Sequence, residues 1–263
     1  MNSSIETSII CSWNVNGIRA IKKKGLDSII EERGWDYLCL QETKIQPDQL
    51  NSQLTNPSGY VSAYESAQRK GYSGVAIFGK NGLPKTSAGF GNSEFDIEGR
   101  TIVAEFKDFL LYNIYFPNGG ASIERLSYKL RFYDSILQHL QEKIAEGHEI
   151  ILCGDVNTAH NAIDLARPAE NERSSGFLRE EREWIDRLIS SGFTDVFRFF
   201  NQEPEQYTWW DYKTRARERN IGWRIDYFFA TKKIMQKIRN CTILNDVMGS
   251  DHCPIEITIE MEQ

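Results

Sequence analysis

The sequence predicts an α/β fold in which two β-sheets pack face to face and a reactive site forms where their strand ends meet. Three observations predict it. Short β-rich runs bounded by turn residues recur along all 263 residues, with segments of helical period between them. Several of these runs end in polar, chemically capable residues, and loops at strand ends are where a rigid sheet presents reactive groups. An early pair of such runs is echoed by a late group, as if two halves supplied similar furniture. No Pro- or Gly-rich linker splits the chain, so residues 1–263 are expected to form one domain.

In chain order, the strand candidates are SIICSWNV, DYLCLQE, SGVAIF, TIVAEF, FLLYNIYF, EIILCGDVN, RIDYFFA and PIEITI. The first helical segment is residues 25–33. The second, residues 123–146, carries Leu126, Leu130, Tyr133, Leu137 and Leu140 at spacings of three or four. The third, residues 177–191, carries Leu178, Trp184, Ile185 and Leu188, with acids early, where a helix N-terminus favours them.

Composition narrows the function classes. Hydrophobic residues make up 40% and charged residues 26%, as expected of a globular enzyme able to bury a substantial core. No apolar run approaches the roughly 18–20 residues of a membrane span, and the first residues lack a basic stretch followed by a long apolar one. The five cysteines show no C-x-x-C spacing and read as buried, reduced core residues. A soluble, cytoplasmic protein without membrane partners is expected, or a nuclear one if the source is eukaryotic. The net charge of −6 argues against coating nucleic acid by bulk charge, but KTRARERNIGWR gathers five basic residues against one acid. An acidic total with a basic rim suits a metal enzyme acting on phosphates.

The polar strand ends carry the chemistry. Asp155 and Asn157 lie two apart after EIILCG; if strand geometry continues, both side chains point one way. They fit a carboxylate and an amide holding a water against a phosphoryl oxygen, and they equally fit an Asx-turn that merely ends a strand. Asn14 and Asn16 repeat the spacing and the ambiguity. Glu42 puts an acid at the mouth of an apolar strand, a hard oxygen ligand of the kind magnesium takes, or a solvated one. Asp251-His252 precedes another strand; the histidine suits a base or a phosphate ligand, and also a ring satisfied by a backbone carbonyl. Asp226 is an acid inside a buried-looking strand and needs a partner, for which a histidine is natural. Zinc chemistry is disfavoured by the lack of H-E-x-x-H and of structural Cys/His spacing. Neither a Walker A motif nor a G-x-S-x-G elbow is present.

Read together, SWNVNGIRA, LQETK, GYSGVAIF, EGR, NIYFPNG, GDVNTAHNAIDLA, SGFLREEREWIDRL, YTWWDY, GWRIDYFF and SDHCP resemble the exonuclease III family of apurinic/apyrimidinic endonucleases, closer to its human-like branch. These strings run in family order from Ser12 to Pro254. The resemblance implies a four-layer α/β sandwich of the DNase I-like kind, with two mixed sheets flanked by helices. It implies magnesium, or manganese in its place, as cofactor, and double-stranded DNA containing abasic sites as partner of a monomer. Glu42 would be the principal metal ligand, within a set comprising Asn14, Asn16, Asp155, Asn157, Asp251 and His252. Asp155 would move a proton of the attacking water or leaving oxygen, Asn157 would orient that water, and Asp226 would hold His252 toward the scissile phosphate, which Tyr115 would also touch. Asn118 and Asn171 would add phosphate contacts. Trp209, Trp223 and Ile225 would form an apolar pocket for the sugar without a base, although tryptophans there also suit plain core. Arg215, Arg217 and Arg219 would flank the strand.

The sequence departs from the human-like pattern at four places. Asn16 replaces an aspartate, Ala121 an arginine and Lys213 a methionine that wedge into DNA, and Ser174 an asparagine. These changes lead us to expect weaker grip on the cleaved product and faster turnover. Two rivals share parts of the pattern. Inositol-lipid phosphatases, sphingomyelinases and nonspecific nucleases use the same Glu, Asp-x-Asn and Asp-His elements but lack the tryptophan pocket. A non-catalytic module would show damaged catalytic positions, and here all are present.

Overall fold

Strands whose side chains are buried on both faces must lie between covering layers. Val75–Gly79, Leu110–Tyr115, Ile150–Asp155 and Asp226–Thr231 are buried at every position. In the computed structural model, which describes residues 5–262, they belong to two six-stranded sheets. The first sheet runs Ile238–Ile243, Ile255–Glu262, Ile5–Asn14, Tyr37–Gln41, Val75–Gly79, Val61–Glu65. The second runs Lys85–Ala88, Thr101–Glu105, Leu110–Tyr115, Ile150–Asp155, Asp226–Thr231, Phe193–Asp195. Each is antiparallel except for one parallel pair, Ile5–Asn14 with Tyr37–Gln41 and Leu110–Tyr115 with Ile150–Asp155.

Three cores hold the layers. Between the sheets, Ile10, Cys39, Ile77 and Ile257 pack with Leu111, Ile151, Cys153 and Phe228. Outside the second sheet, the helices Ile123–Ala145 and Arg179–Ser190 bury Phe132, Tyr133, Ile136, Trp184, Ile185 and Leu188, with the Tyr133 and Trp184 rings stacked 4.2 Å apart. Outside the first, Ile18–Lys23 and Leu26–Arg33 contribute Ile18, Ile21, Leu26 and Ile30. The result is the expected helix–sheet–sheet–helix order. All five cysteines are free and buried. Among the described residues, no helix is long and apolar enough to cross a membrane.

Some details differ from the sequence reading. The long helix buries Lys129, Phe132, Tyr133, Ile136, Leu137 and Leu140, so its inward stripe is rotated from the expected one, and Leu126 and Leu130 are only half-buried. The third helix starts at Arg179, two residues late, because Leu178 is extended and its N–H goes to Glu181 Oε2 at 3.0 Å. Val61–Glu65, Lys85–Ala88, Phe193–Asp195 and Ile238–Ile243 were not foreseen. All four are edge strands whose sequences carry no clean period, and all but Phe193–Asp195 are partly exposed.

The register positions the site. Tyr115 pairs with Asp155, and Asp155 with Asp226, in one row across the second sheet. Asn14 pairs with Gln41 at the corresponding end of the first sheet, one residue before Glu42. Asn14 Nδ2 reaches Asp155 Oδ2 at 2.9 Å, so these two strand ends converge.

Candidate active site

Two turns of one design build the polar wall. Asn14 Oδ1 accepts from the N–H of Asn16 at 3.0 Å, and Asp155 Oδ1 from the N–H of Asn157 at 2.8 Å. A side-chain oxygen taking the N–H two residues on makes an Asx-turn. Asn16 and Asn157 therefore adopt left-handed φ of 47° and 56°, which asparagine accepts better than most residues. Strand geometry does not continue to Asn157, contrary to expectation; the turn brings its side chain back beside Asp155. Glu42 is also left-handed, at φ 52°. Such conformations cost of order 1–3 kcal/mol each and persist where surroundings enforce them. Here the Glu42 carbonyl accepts from the N–H of Gly17 at 2.7 Å.

Asn14 Nδ2 donates to both Glu42 Oε1 and Asp155 Oδ2, each at 2.9 Å. Ligand atoms of Glu42, Asp155 and His252 lie within 4.8 Å of one another. The two carboxylates are driven apart in acidity. Burial is the larger influence on Asp155, joined by the charge of Asp226, and its pKa rises to about 7. Burial also acts on Glu42, but Lys44 and the Asn14 amide outweigh it and hold the pKa below the ordinary value. Lys44 Nζ lies 2.8 Å from Glu42 Oε2. Burial disfavours the His252 cation, yet the Asp226 carboxylate, 2.8 Å from Nδ1, raises its pKa to about 10. Nε2 then faces Asp155 Oδ2 at 3.9 Å. Asp226 Oδ1 is buried without a hydrogen-bond partner among the described residues.

Tyr115 stands beside Glu42, and burial together with that carboxylate pushes its phenol well above the usual range. The buried Arg100 guanidinium lies 4.8 Å from the Tyr115 ring and donates to its carbonyl at 2.9 Å. Asn157 donates to Phe116 O at 3.0 Å and Asp155 Oδ2 at 3.1 Å, while its Oδ1 takes Asn118 Nδ2 at 2.9 Å. Asp251 accepts from Asn16 Nδ2 at 3.0 Å and from Trp209 Nε1 at 3.2 Å. Despite burial, His252 and these donors keep its pKa below the ordinary value.

These groups border a cavity of about 330 Å³ whose other wall is Trp209, Trp223 and Ile225. A two-stranded ribbon, Trp209–Trp210 with Gly222–Trp223, sets the two indoles edge to face, 6.4 Å apart. Both remain half-exposed, and Trp209 is tied to Asp251, so they line the site and do not simply fill a core.

Four other expected residues, and one further arginine of the basic run, lie elsewhere; Arg219 is exposed and donates to the Thr214 carbonyl at 3.1 Å. Asn171 turns its amide onto the Arg167 carbonyl at 2.9 Å. Arg215 is exposed and borders a neighbouring cleft of about 1040 Å³. Arg217 donates to the Asn245 and Val247 carbonyls at 2.8 Å and stacks on Trp210, bracing a loop. Arg224, counted in the basic run, is fully buried against Asp164 at 2.8 Å and Asp195 at 2.7 Å. Conversely, Lys44, Arg100 and Thr208 were missed. Thr208 Oγ1 receives the N–H groups of Ile225 and Asp226 at 3.1 Å, fixing the pocket wall to the start of the Asp226 strand. All three lie in the strings LQETK, EGR and YTWWDY, but only Lys44, two residues past Glu42, had a local reason to be singled out.

The donor chemistry suits a hard cation. The carboxylate oxygens of Glu42 and Asp155 converge, the imidazole Nδ1 is committed to Asp226, and no cysteine belongs to the cluster. Asn14 points its donor at both carboxylates, and Asn157 Oδ1 is occupied by Asn118, so these amides support the carboxylates.

The sequence pattern of the endonuclease/exonuclease/phosphatase family matches residues 11–252. The exodeoxyribonuclease of Bacillus subtilis is 42% identical over 255 residues, 96% of this chain and 99% of that protein. The DNA repair nuclease APEX1 of Danio rerio is 41% identical over 252 residues, 94% of this chain and 81% of that protein. The crystal structure of the AP endonuclease LMAP from Leishmania major superposes with a TM-score of 0.89 at 30% identity, covering 97% of this chain and 88% of that one.

Proposed function

Because the chain belongs to the endonuclease/exonuclease/phosphatase family, we propose that it is a DNA-repair phosphodiesterase that hydrolyses the backbone on the 5′ side of abasic sites, with 3′→5′ exonuclease and 3′-phosphodiesterase activity. The observation that carries this reading is the pair of facing carboxylates with opposed acidity, bridged by Asn14 beside an apolar pocket. Titratable pairs whose environments push them apart divide acid–base labour from charge-holding. Asp155, near neutral in pKa, takes the proton of the attacking water; Glu42 stays ionised.

Water attacks phosphorus in line, and the bond from phosphorus to the O3′ of the preceding nucleotide breaks, the departing oxygen taking a proton from solvent. One strand end keeps a 3′-hydroxyl and the abasic sugar keeps the phosphate. Asn157 and Asn118 orient the water, and Tyr115 contacts the phosphate. The His252 imidazolium, held by Asp226, faces the negative charge that grows on the non-bridging oxygens. Glu42, with Asp155 opposite and Asp251 across the cavity, would hold magnesium, with Asn14 and Asn16 orienting the carboxylates. Bound there, the cation supplies further charge stabilisation for the phosphoryl group. Trp209, Trp223 and Ile225 receive the extruded sugar. Flipping it costs less than flipping an intact nucleotide because no base stack is lost.

The test is incision of a labelled duplex carrying one tetrahydrofuran abasic analogue, in magnesium and in EDTA. Cutting on the 5′ side should require magnesium, and Asp155→Asn should slow it by roughly 10²–10⁴-fold. Absence of cutting by the wild-type chain in magnesium would refute the reading.

A further inference from the structure

Lys129 and Glu181 are both fully buried, far along the chain from each other, and unused by the mechanism above. Lys129 lies in the apolar stripe of the helix Ile123–Ala145. Its ammonium is 2.7 Å from Glu181 Oε1 and donates to the Asn157 carbonyl at 2.7 Å and Thr158 Oγ1 at 2.8 Å. Asn157 is the left-handed residue whose side chain faces Asp155. Glu181, in the first turn of the helix Arg179–Ser190, holds the other side. Its carboxylate accepts from Ser175 Oγ at 2.9 Å, the Gly176 N–H at 2.6 Å and the Leu178 N–H at 3.0 Å.

That turn is part of the pocket. Ser175 and Gly176 line the cavity, and Gly176, at φ +97°, leaves room for Trp223: a Cβ there would lie 3.1 Å from the indole and 3.3 Å from the Asn157 carbonyl. The Gly176 carbonyl also accepts from the Ala159 N–H at 2.8 Å. One ion pair therefore grips the backbone beneath the catalytic amide with one end and the backbone behind the sugar pocket with the other. Two charges buried this deeply carry a desolvation penalty that a pair of apolar residues would avoid, so retention for stability alone is a poor explanation.

We propose that Lys129 and Glu181 are a positioning pair that sets the Asn157 amide in register with the pocket wall, so that a sugar seated against Trp223 brings its phosphate to the reacting groups. This rests on the functional reading above. It makes the pair matter for the rate of the chemical step more than for binding.

The experiment measures single-turnover incision of the tetrahydrofuran duplex in magnesium by wild type, Lys129→Met, and the double variant Lys129→Met/Glu181→Gln, which leaves no buried charge alone. Each rate is divided by the fraction of protein that binds the same duplex stoichiometrically in EDTA, removing losses from unfolding. Displacement of a reacting group by about 1 Å costs on the order of 10²-fold in rate, so falls of that size are expected at unchanged affinity. Normalised rates equal to wild type in either variant would overturn the proposal. So would variants that melt without cooperativity, or that melt normally and no longer bind, since the pair would then serve folding or binding. A wild-type chain that fails to cut condemns the functional reading instead, and the two failures are distinguished in one assay.

Discussion

At the scale of single residues, the site divides charge among groups that share one small volume. Glu42 is kept ionised by Lys44 and Asn14, Asp155 is lifted toward neutrality by burial and Asp226, and His252 is kept charged by Asp226 against its own burial. Asp226 thus acts twice with one carboxylate. Replacing it by asparagine removes the strongest of the carboxylates that raise the histidine, so the imidazole pKa of Asp226→Asn should fall from about 10 toward its ordinary value. Near pH 8 the ring would then be neutral, and incision should drop by roughly 10²–10³-fold, as when a preorganised charge stabiliser is removed. NMR titration of the ring reads the shift directly, and an imidazole that titrates as in wild type would contradict this account. Much of this residue set was legible, because polar residues closing apolar strands stand out. Their conformation was not: nothing in GDVN says that Asn157 leaves the strand and folds back, since an Asx-turn and a continued strand share the same letters. The Lys129–Glu181 pair did leave a trace, a lysine within the buried stripe of an otherwise apolar helix face.

At the scale of elements, the basic segment that joins the two strands of the tryptophan ribbon and runs on to Arg224 separates into three fates. Arg215 faces solvent, Arg217 braces the loop at Asn245–Val247, and Arg224 is sealed in an ion cluster with Asp164, Asp195 and, through Asp164, Arg198. Sequence showed five like charges; partners up to 60 residues away decided which could meet a phosphate. For Arg215→Ala, the slope of log affinity for DNA against log salt should shrink by about 1, as for the loss of one phosphate contact. Arg217→Ala should leave the slope intact and lower the denaturation midpoint. Equal slopes in both variants would remove Arg215 from the DNA-facing set. The ion cluster gives a separate prediction. Burial alone would raise Asp164, but Arg224 and Arg198 outweigh it and depress its pKa to about 2 from an ordinary 3.8. A carboxylate with a depressed folded pKa stabilises the fold above its unfolded pKa and loses that contribution as pH falls through the folded one. Melting temperature should therefore decline between about pH 4 and pH 2, and Asp164→Asn should flatten that decline while melting lower at neutral pH.

At the scale of the whole molecule, the sandwich was the most legible feature, because central strands buried on both sides read as unbroken apolar runs. The edges Val61–Glu65 and Lys85–Ala88 were not, since exposure leaves no period to detect. The polar links between the sheets were also hidden: Gln41 donates to Asn113 across the core at 2.7 Å, and Asn113 in turn holds the Leu40 and Ala76 carbonyls. The pairing of Ile5–Asn14 with Ile255–Glu262 has a consequence for biosynthesis. Asn14 and Glu42 precede residues 255–262 by more than 200 positions, yet their sheet lacks an interior strand until those residues are made, and Asp251 and His252 come only just before them. Domains fold as units during synthesis, and pairings between distant segments form late. The site residues of both sheets therefore come together only once the strand Ile255–Glu262 has been made, and a form truncated before it should fail to cut the tetrahydrofuran duplex.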